Sequence, residues 1–542
     1  MSSTETPWRS LSRSSRPAGQ CELENRKSLS RGSGNNTSDA ESKDIPPRAQ
    51  SPKRERASSL TDLPPDPDAS LTEEQRKQVD RDLVTRLDWR LMPWLCLLYL
   101  LAFLDRTNIG NAKIAGLGPD LGLDTTHYNM TLSIFFVSYA LAEPVTNVLL
   151  KRFRPSLFIP IIMILWGICM LCMGFVHNWS GLMASRWFLG LTEAGLFPGV
   201  NYYLSCWYKR SEFGIRAAIF FSAAAIAGSF GGLLAALIEK MAGMGGRPGW
   251  AWIFILEGLL TVLVGFASFR MVHDFPDEAR FLSAADRARV TRRLKLDQQS
   301  SASREDFSWA PVMAALSDWK TWLAMCVYAG CDMPLYAFSL FLPSIVAGLG
   351  WGEEDQGGGA VRAQLMTVPP YVAAALLTVL AGRVADRTGQ RGLVNVAAAA
   401  VGIAGFAVLL AAESPAWRYA GTFLGAAGIY PCVANTISWT ANNVEGVYKR
   451  GVVLGMVIGW GNLNGVTSSH VYFSPPRFVE GHAVVLGFMA VFLLGGSVLM
   501  TLLLRAENAR RLRGGRDSWT EGKTRREVEA LGDMRPDFLY IV

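Results

Sequence analysis

Stretches of about 20 predominantly apolar residues, the length a helix needs to cross a bilayer, recur along this chain and restrict it to a polytopic membrane protein. Half of the 542 residues are hydrophobic and 18% are charged, a charge content scarce for a soluble protein. Read with their breakers, the stretches give twelve spans, at 90–112, 128–150, 157–176, 180–204, 216–238, 250–272, 319–347, 361–384, 392–412, 415–439, 450–473 and 483–505. The expected fold is an all-α membrane protein of twelve transmembrane helices.

Within the first span, Asp105 and Arg106 stand side by side. An ionisable group inside a span costs at least about 2.5–3.5 kcal/mol on insertion scales, so it ordinarily faces an internal cavity and acts there. The plainer reading is that the two charges neutralise each other or reach the interface. The rest of the chain has to decide between them.

Residues 1–68 differ in kind. They are rich in Ser, Arg, Pro and Asn and nearly free of aromatics, so they bury too little apolar surface to offset the entropy of ordering and are expected to be a disordered cytoplasmic tail. Ser70-Leu71-Thr72-Glu73 has capping-box spacing and should open a charged, amphipathic lead-in helix running to the membrane near Trp89. The expected division is a tail (1–68), a first six-helix half with its lead-in helix (69–272), a central loop (273–318), a second half (319–505) and a C-terminal tail (506–542).

Basic residues in the short loops set the expected orientation. Lys151, Arg152 and Arg154, Lys209 and Arg210, Arg383, Arg387 and Arg391, and Lys449 and Arg450 all fall on one side, which marks the cytoplasm and places both termini and the central loop there. The net charge of +7 then reads as a topology signal and attraction to anionic lipid, with no need of nucleic acid. In the central loop, Ser283-Ala284-Ala285-Asp286 caps a helix expected to lie on the membrane surface. Seven cysteines sit in or beside apolar spans as small hydrophobes, and the Cys169-x-x-Cys172 spacing lacks a metal-ligand cluster, so neither a metal nor a cofactor is expected. The Asn178-Trp179-Ser180 sequon lies too close to the membrane for glycosylation to be expected.

The chain repeats itself. Phe188-Leu189-Gly190 followed by Gly195-Leu196-Phe197-Pro198-Gly199-Val200 recurs as Phe423-Leu424-Gly425 followed by Gly428-Ile429-Tyr430-Pro431-Cys432-Val433. A displacement of 233 residues carries Gly195 onto Gly428, Gly228 onto Gly461, Gly232 onto Gly465 and Arg216 onto Lys449. Two parallel six-span halves joined by a long loop, with the substrate site between them near the midplane, is the build of a major facilitator. The loop between spans eight and nine, Gly382-Arg383-Val384-Ala385-Asp386-Arg387-Thr388-Gly389-Gln390-Arg391, resembles the major facilitator signature GxxxDRxGxR at every fixed position. That resemblance implies a latch in which Gly382, Asp386, Arg387, Gly389 and Arg391 hold helix ends together on the cytoplasmic side. The first-half loop Leu149–Pro155 departs from the pattern, lacking its Gly and Asp.

The same displacement sets Asp105 and Arg106 against Phe338 and Ser339, so the charge cluster is confined to the first half. On span four, Arg186 and Glu193 are seven residues apart, about 20° apart around a helix and roughly 10 Å along it. Span one runs outward and span four inward, so one cavity is expected to hold Asp105, Arg106, Arg186 and Glu193. A buried guanidinium keeps its proton and offers a planar fork that fits a carboxylate. A buried carboxylate beside it is balanced between desolvation, which favours the neutral form, and the cation, which favours the charged one. Substrate and proton then share a free energy. For Glu193 the plainer reading is a structural ion pair with Arg186.

The segments Leu104-Asp105-Arg106-Thr107-Asn108-Ile109-Gly110-Asn111-Ala112, Arg186 through Gly199, Trp207-Tyr208-Lys209-Arg210, Asp274-Phe275-Pro276-Asp277 and Gly532 through Phe538 resemble the anion:cation symporter family, its fungal allantoate permease-like branch above all. The resemblance implies proton-driven uptake of a small organic anion such as allantoate, nicotinate, pantothenate or biotin. It also implies proton coupling for Asp105 and Glu193, and recognition of the substrate's acid group for Arg106 and Arg186. Asp332 in span seven and His470 in span eleven look unusual for the branch and stand as candidates for substrate choice, equally readable as satisfied polar residues. Asn435 is a further substrate candidate, though amides also hold helices together in lipid. Glu143-Pro144 marks a kink whose acid is expected to meet a base on the cytoplasmic side.

The expected function is a monomeric, plasma-membrane secondary transporter coupling a small anionic substrate to protons by alternating access. A proton-driven exporter and a non-transporting nutrient sensor remain as alternatives. No enzyme constellation is present.

Overall fold

The computed structural model describes residues 66–296, 309–349, 359–472, 477–524, 527–528 and 531–542. The tail expected over 1–68 lies outside them except for its last three residues. Leu63–Val542 forms one compact unit, and among the described residues its regular elements are helical. Twelve long helices run in chain order. In the first half they are α1 (Glu73–Ala112), α2 (Thr125–Arg152), α3 (Pro155–Met173), α4 (Trp179–Glu193, continued by Leu196–Ser205), α5 (Arg210–Ile238) and α6 (Gly249–Met271). In the second half they are α7 (Trp319–Ala347), α8 (Gly359–Thr388), α9 (Arg391–Ala411), α10 (Pro415–Asn442), α11 (Val447–Val471) and α12 (Val479–Leu512). Eight of them, α1, α3, α5 through α9 and α12, are long and apolar enough to cross a membrane by length and composition alone.

Local chemistry sets the helix ends, with departures from expectation. The lead-in helix and span one are a single helix of 40 residues, begun by Thr72 rather than Ser70. The Leu71 amide closes a turn onto the Asp68 carbonyl, and Arg289 grips the Asp68 side chain, so Ser70 is held outside the helix. Thr72 and Gln75 then cap reciprocally, at 3.4 and 3.0 Å. Helix α4 breaks directly after Glu193, because Pro198 has no amide hydrogen to return to the Ala194 carbonyl. Asn178 of the sequon caps α4 by accepting from the Gly181 amide at 2.8 Å.

Three of the seams between the halves are packed closely at glycines. Helices α5 and α8 run against each other with small residues at the contact: a methyl on Gly228 would stand 2.6 Å from the Tyr371 ring, and one on Gly382 2.6 Å from the Ala218 side chain. Helix α1 meets α7 where a methyl on Gly110 would stand 2.5 Å from the Leu340 carbonyl oxygen. Helix α2 meets α11, with Phe136 lying over Gly465. Both glycine-rich pieces of the repeat therefore serve close helix packing.

The repeat is also written in ion pairs. Arg216 of α5 holds Asp88 of α1 with two hydrogen bonds of 2.8 and 2.6 Å, and Lys449 of α11 holds Asp318, at the start of α7, at 2.7 Å. The pairs are equivalent, displaced by 230 residues on the acids and 233 on the bases. The displacement is thus shorter for α1 and α7, and it sets Arg106 against Tyr336 rather than Ser339. In the second half the C-terminal segment completes the pair. Asp533 accepts from Lys320 at 2.6 Å and Lys449 at 2.8 Å, and Ile541 is bound by Trp439 and Asn443, so this tail is docked on the ends of α7, α10 and α11. Helix α12 reaches Leu512, beyond the expected 505.

The central-segment helix Ala284–Leu296, expected on the membrane surface, packs on the bundle through one face. Val290 and Leu294 are buried against the bundle, and its cations meet protein carboxylates: Arg289 binds Asp68 at 2.7 Å, and Arg293 binds Glu212 and, at 3.2 Å, Asp80. Asp286 accepts from Arg289 at 2.7 Å and from Arg86 of α1 at 3.0 Å. Burial alone pushes the Asp286 carboxyl up, but hydrogen bonds from Arg289 and Ser283 and the charge of Arg86 outweigh it and hold it below the usual carboxylate range. Its contribution is therefore complete above the ordinary carboxylate pKa of ~4 and lost as the pH falls through its lower folded value. Hydrogen exchange over residues 284–296, corrected for intrinsic rates, should accelerate in that acid range, and Asp286→Asn should reproduce the acceleration at pH 7. Protection indifferent to both would remove the clamp.

Candidate functional site

Where α1, α2 and α4 of the first half approach α7 and α11 of the second, charged side chains lie at the centre of the bundle. Arg106, 4% exposed, directs Nε and Nη2 to the same Glu193 oxygen, Nε at 3.0 Å. Its Nη1 donates to Tyr336 Oη of α7 at 2.6 Å. Tyr336 in turn donates to Asn462 Oδ1 of α11 at 2.7 Å, and Asn462 Nδ2 donates to Glu143 Oε2 of α2 at 3.0 Å. A hydrogen-bonded chain thus crosses from the first half to the second and back. The rings of Phe135, Tyr139 and Tyr336 surround the guanidinium at 4.9–5.5 Å.

Arg186 has no such partner. It is 1% exposed, its Nη1 reaches the Arg106 carbonyl at 3.5 Å, and Nε and Nη2 meet no acceptor among the described residues. The alternative of an Arg186–Glu193 ion pair is therefore not what the structure shows, since Glu193 is held by Arg106. The positions explain it: the long Arg106 side chain covers the axial offset to Glu193, while Arg186 stays level with the Arg106 backbone.

Asp105 departs from the expectation that one cavity holds all four residues. Consecutive residues on a helix point about 100° apart. Asp105 turns into the first half, where Oδ2 accepts from Trp166 Nε1 at 3.1 Å and Thr261 Oγ1 at 2.9 Å. One turn along, Asn108 donates to Glu257 of α6. Glu257 went unremarked in the sequence, although the argument that singles out Asp105, an acid inside a span, applies to it equally. Tyr336 gave no signal, because a tyrosine in an apolar span is unexceptional until its hydroxyl partner is seen.

Asp332 borders the cluster, one turn before Tyr336 on α7 and facing Gly461 of α11. His470 does not join it: its ring is exposed, with Nδ1 at 3.1 Å from the Val466 carbonyl and 3.3 Å from Ser133 Oγ. Asn435 lies elsewhere too. It accepts from Arg391 Nη1 at 3.1 Å and donates to the Arg391 carbonyl and to Asn395, both at 2.8 Å. Arg391 also pairs with Asp386, and Gly214 of α5 packs on both, so Asn435 belongs with the signature loop. Gly382 lies at the α5–α8 contact, Gly389 takes the left-handed turn at φ 65°, and Arg387 is exposed. Glu143, expected to meet a base, meets the Asn462 amide instead.

Twelve helices in two halves around a buried, charged centre define a secondary transporter. The Major Facilitator Superfamily model matches residues 95–469, and the chain belongs to that superfamily. It is 35% identical over 416 residues to an uncharacterized transporter of Schizosaccharomyces pombe, covering 76% of this chain and 81% of that one. It is 31% identical over 467 residues to the high-affinity nicotinic acid transporter of Saccharomyces cerevisiae, covering 85% of each. A bacterial homolog of the human lysosomal transporter Spinster, solved in an inward-facing, occupied conformation, shares the fold with a TM-score of 0.54 at 14% identity, over 77% of this chain and 96% of that one. The protein is a multi-pass membrane transporter for a small molecule, not an enzyme.

Removing one member of a buried ion pair costs about 3–5 kcal/mol because the other charge is stranded. Arg106→Ala should cost that much in thermal unfolding, and adding Glu193→Gln should restore most of it, since an amide needs no cation. An additive double variant would show that the pair does not carry the cost.

Proposed function

We propose that the protein is a proton-coupled symporter of a small organic anion, of the fungal allantoate permease-like branch of anion:cation symporters. The observation that carries this reading is Arg186, a buried guanidinium that makes no ion pair or hydrogen bond to a carboxylate among the described residues, beside a second guanidinium that has one. A guanidinium keeps its charge when buried, so the pair suits an incoming carboxylate. The rings about Arg106 suit a flat substrate, and the nicotinic acid for which the yeast relative is named is a flat carboxylate.

The coupling follows from competition for cations. A substrate carboxylate bridging Arg186 and Arg106 draws Arg106 from Glu193. Glu193 is then a carboxylate without a counter-ion in a dry site and takes a proton. Substrate and proton thereby enter together, and the hydrogen bonds of Arg106 through Tyr336 to Asn462 convey the change to the second half. Asp332, on that side, would bear on which substrates fit. The basic loops place both termini in the cytoplasm, and Asp386, Arg391 and Asn435 act there as the latch. That one chain supplies every residue of this site supports a monomer, and uptake from outside the cell is the task of a plasma-membrane protein.

Uptake of radiolabelled carboxylates, nicotinate among them, should rise as external pH falls and collapse with a protonophore. Arg186→Gln should abolish it with the protein still at the membrane. Uptake indifferent to the proton gradient would overturn the coupling.

A further inference from the structure

Helices α1 and α6 run antiparallel inside the first half and are joined by two polar rungs. In one, Thr261 donates to Asp105 at 2.9 Å; in the other, Asn108 donates to Glu257. The rungs are three residues apart on α1 and four on α6, about 4.5–6 Å at 1.5 Å per residue. Both acids are almost wholly buried, at 0% and 1% exposure. Each keeps one oxygen, Asp105 Oδ1 and Glu257 Oε1, that meets no donor among the described residues. The Asn108 amide is oriented by Asn111, which donates to its Oδ1 at 2.9 Å and so leaves Nδ2 for Glu257. The surroundings are tight: a methyl on Gly258 would stand 2.5 Å from the Leu171 amide nitrogen, and one on Gly231 3.1 Å from Asn108 Oδ1.

Among the described residues, no cation makes an ion pair or hydrogen bond with either acid. On α1, Arg106 turns away to Glu193. From α4, the opposite charges of Arg186 and Glu193 both act on Asp105 without pairing with it. Helix α3 brings Trp166 and carries no acid or base, its ionisable groups being the thiols Cys169 and Cys172. On α5 the charges stand at the two ends, at Arg210, Glu212 and Arg216 and, just beyond, at Glu239. Two carboxylates a turn apart in a dry seam with only neutral donors cannot both be charged. Asp105 accepts two hydrogen bonds, which favour its charged form, whereas Glu257 accepts one.

We propose that Asp105 and Glu257 form a proton-binding pair inside the first half, with the proton resting on Glu257, separate from the site where Arg106 and Arg186 meet substrate. This rests on the proton-coupled reading for its use in transport but not for its existence. Asp105 and Arg106 are consecutive, so any movement of α1 on substrate binding displaces both, and the pair senses substrate through the helix.

Two experiments decide it. Purified wild-type protein treated with dicyclohexylcarbodiimide, which attacks protonated carboxyls in apolar surroundings, should carry an adduct on Glu257 that declines as the buffer is made alkaline; adducts only elsewhere overturn the pair whether or not transport is proton-coupled. In proteoliposomes with radiolabelled nicotinate, Glu257→Gln should keep exchange across the membrane while accumulation driven by a pH gradient falls by the about 5–150-fold that a coupling free energy carries. Glu257→Asp should restore accumulation. Wild-type-like accumulation in Glu257→Gln, or loss of exchange in both variants, overturns the role of Glu257, whereas a wild type indifferent to the gradient overturns the coupled reading alone.

Discussion

A guanidinium buried in a bundle cannot discharge itself, and Arg106 organises the centre of this protein on that account. Glu193 supplies its charge, three aromatic rings supply polarisable surface, and Tyr336 takes the donor that remains. Because Tyr336 belongs to the other half, satisfying one cation also fixes how the halves meet. The chain of hydrogen bonds through Asn462 to Glu143 extends that constraint to α2 and α11. A change in the partner of Arg106 is therefore felt across both α1–α7 and α2–α11, two of the seams that rocking of the halves must loosen or tighten.

The ends of the helices are held by a different chemistry. Arg216 with Asp88, and Lys449 with Asp318, tie corresponding helices within each half. Asp318 shows the balance: burial alone would raise its carboxyl, but the Lys320 and Lys449 ammoniums outweigh that and hold it low. The signature loop works between halves, since Gly214 of α5 admits the Asp386–Arg391 pair where any side chain would collide. Asn435 completes that arrangement through Arg391. The bundle is thus tied within each half by ion pairs repeated in the sequence; between halves, the glycine contacts of α5–α8 and α2–α11 follow the repeat, whereas the Asp386–Arg391 pair does not.

The superfamily fold was legible because its signals are periodic or compositional: apolar length gave the spans, and a repeated Gly-Pro block gave the halves. Partnership was less legible. Arg186 and Glu193 share a helix face, which makes their pairing the natural inference, yet the reach of an arginine on another helix decides the matter. Asp105 and Arg106 are adjacent in sequence but diverge by the turn of the helix, one into a half and one between halves. Tyr336 carries no pattern of its own and acquires meaning from Arg106, more than 140 positions away, whereas Glu257 carries the same signal as Asp105, an acid inside a span, and only its partner Asn108 comes from the structure. Asn435 stands out by residue type and His470 as unusual for the branch, and neither signal says which way a helix face points.

The asymmetry of the halves has a physical rationale. Under the displacement fixed by the equivalent ion pairs, the second half presents Leu335 and Tyr336 where the first has Asp105 and Arg106. A second buried charge cluster there would carry its own desolvation cost in a bilayer. A tyrosine avoids it, since its hydroxyl both accepts from Arg106 and donates to Asn462 while the ring packs as an apolar side chain. The second half can thus read the state of the first through hydrogen bonds, without a charge of its own at that point. On the second-half side, the hydrogen bonds that cross between the halves at this point are made by the neutral groups Tyr336 and Asn462.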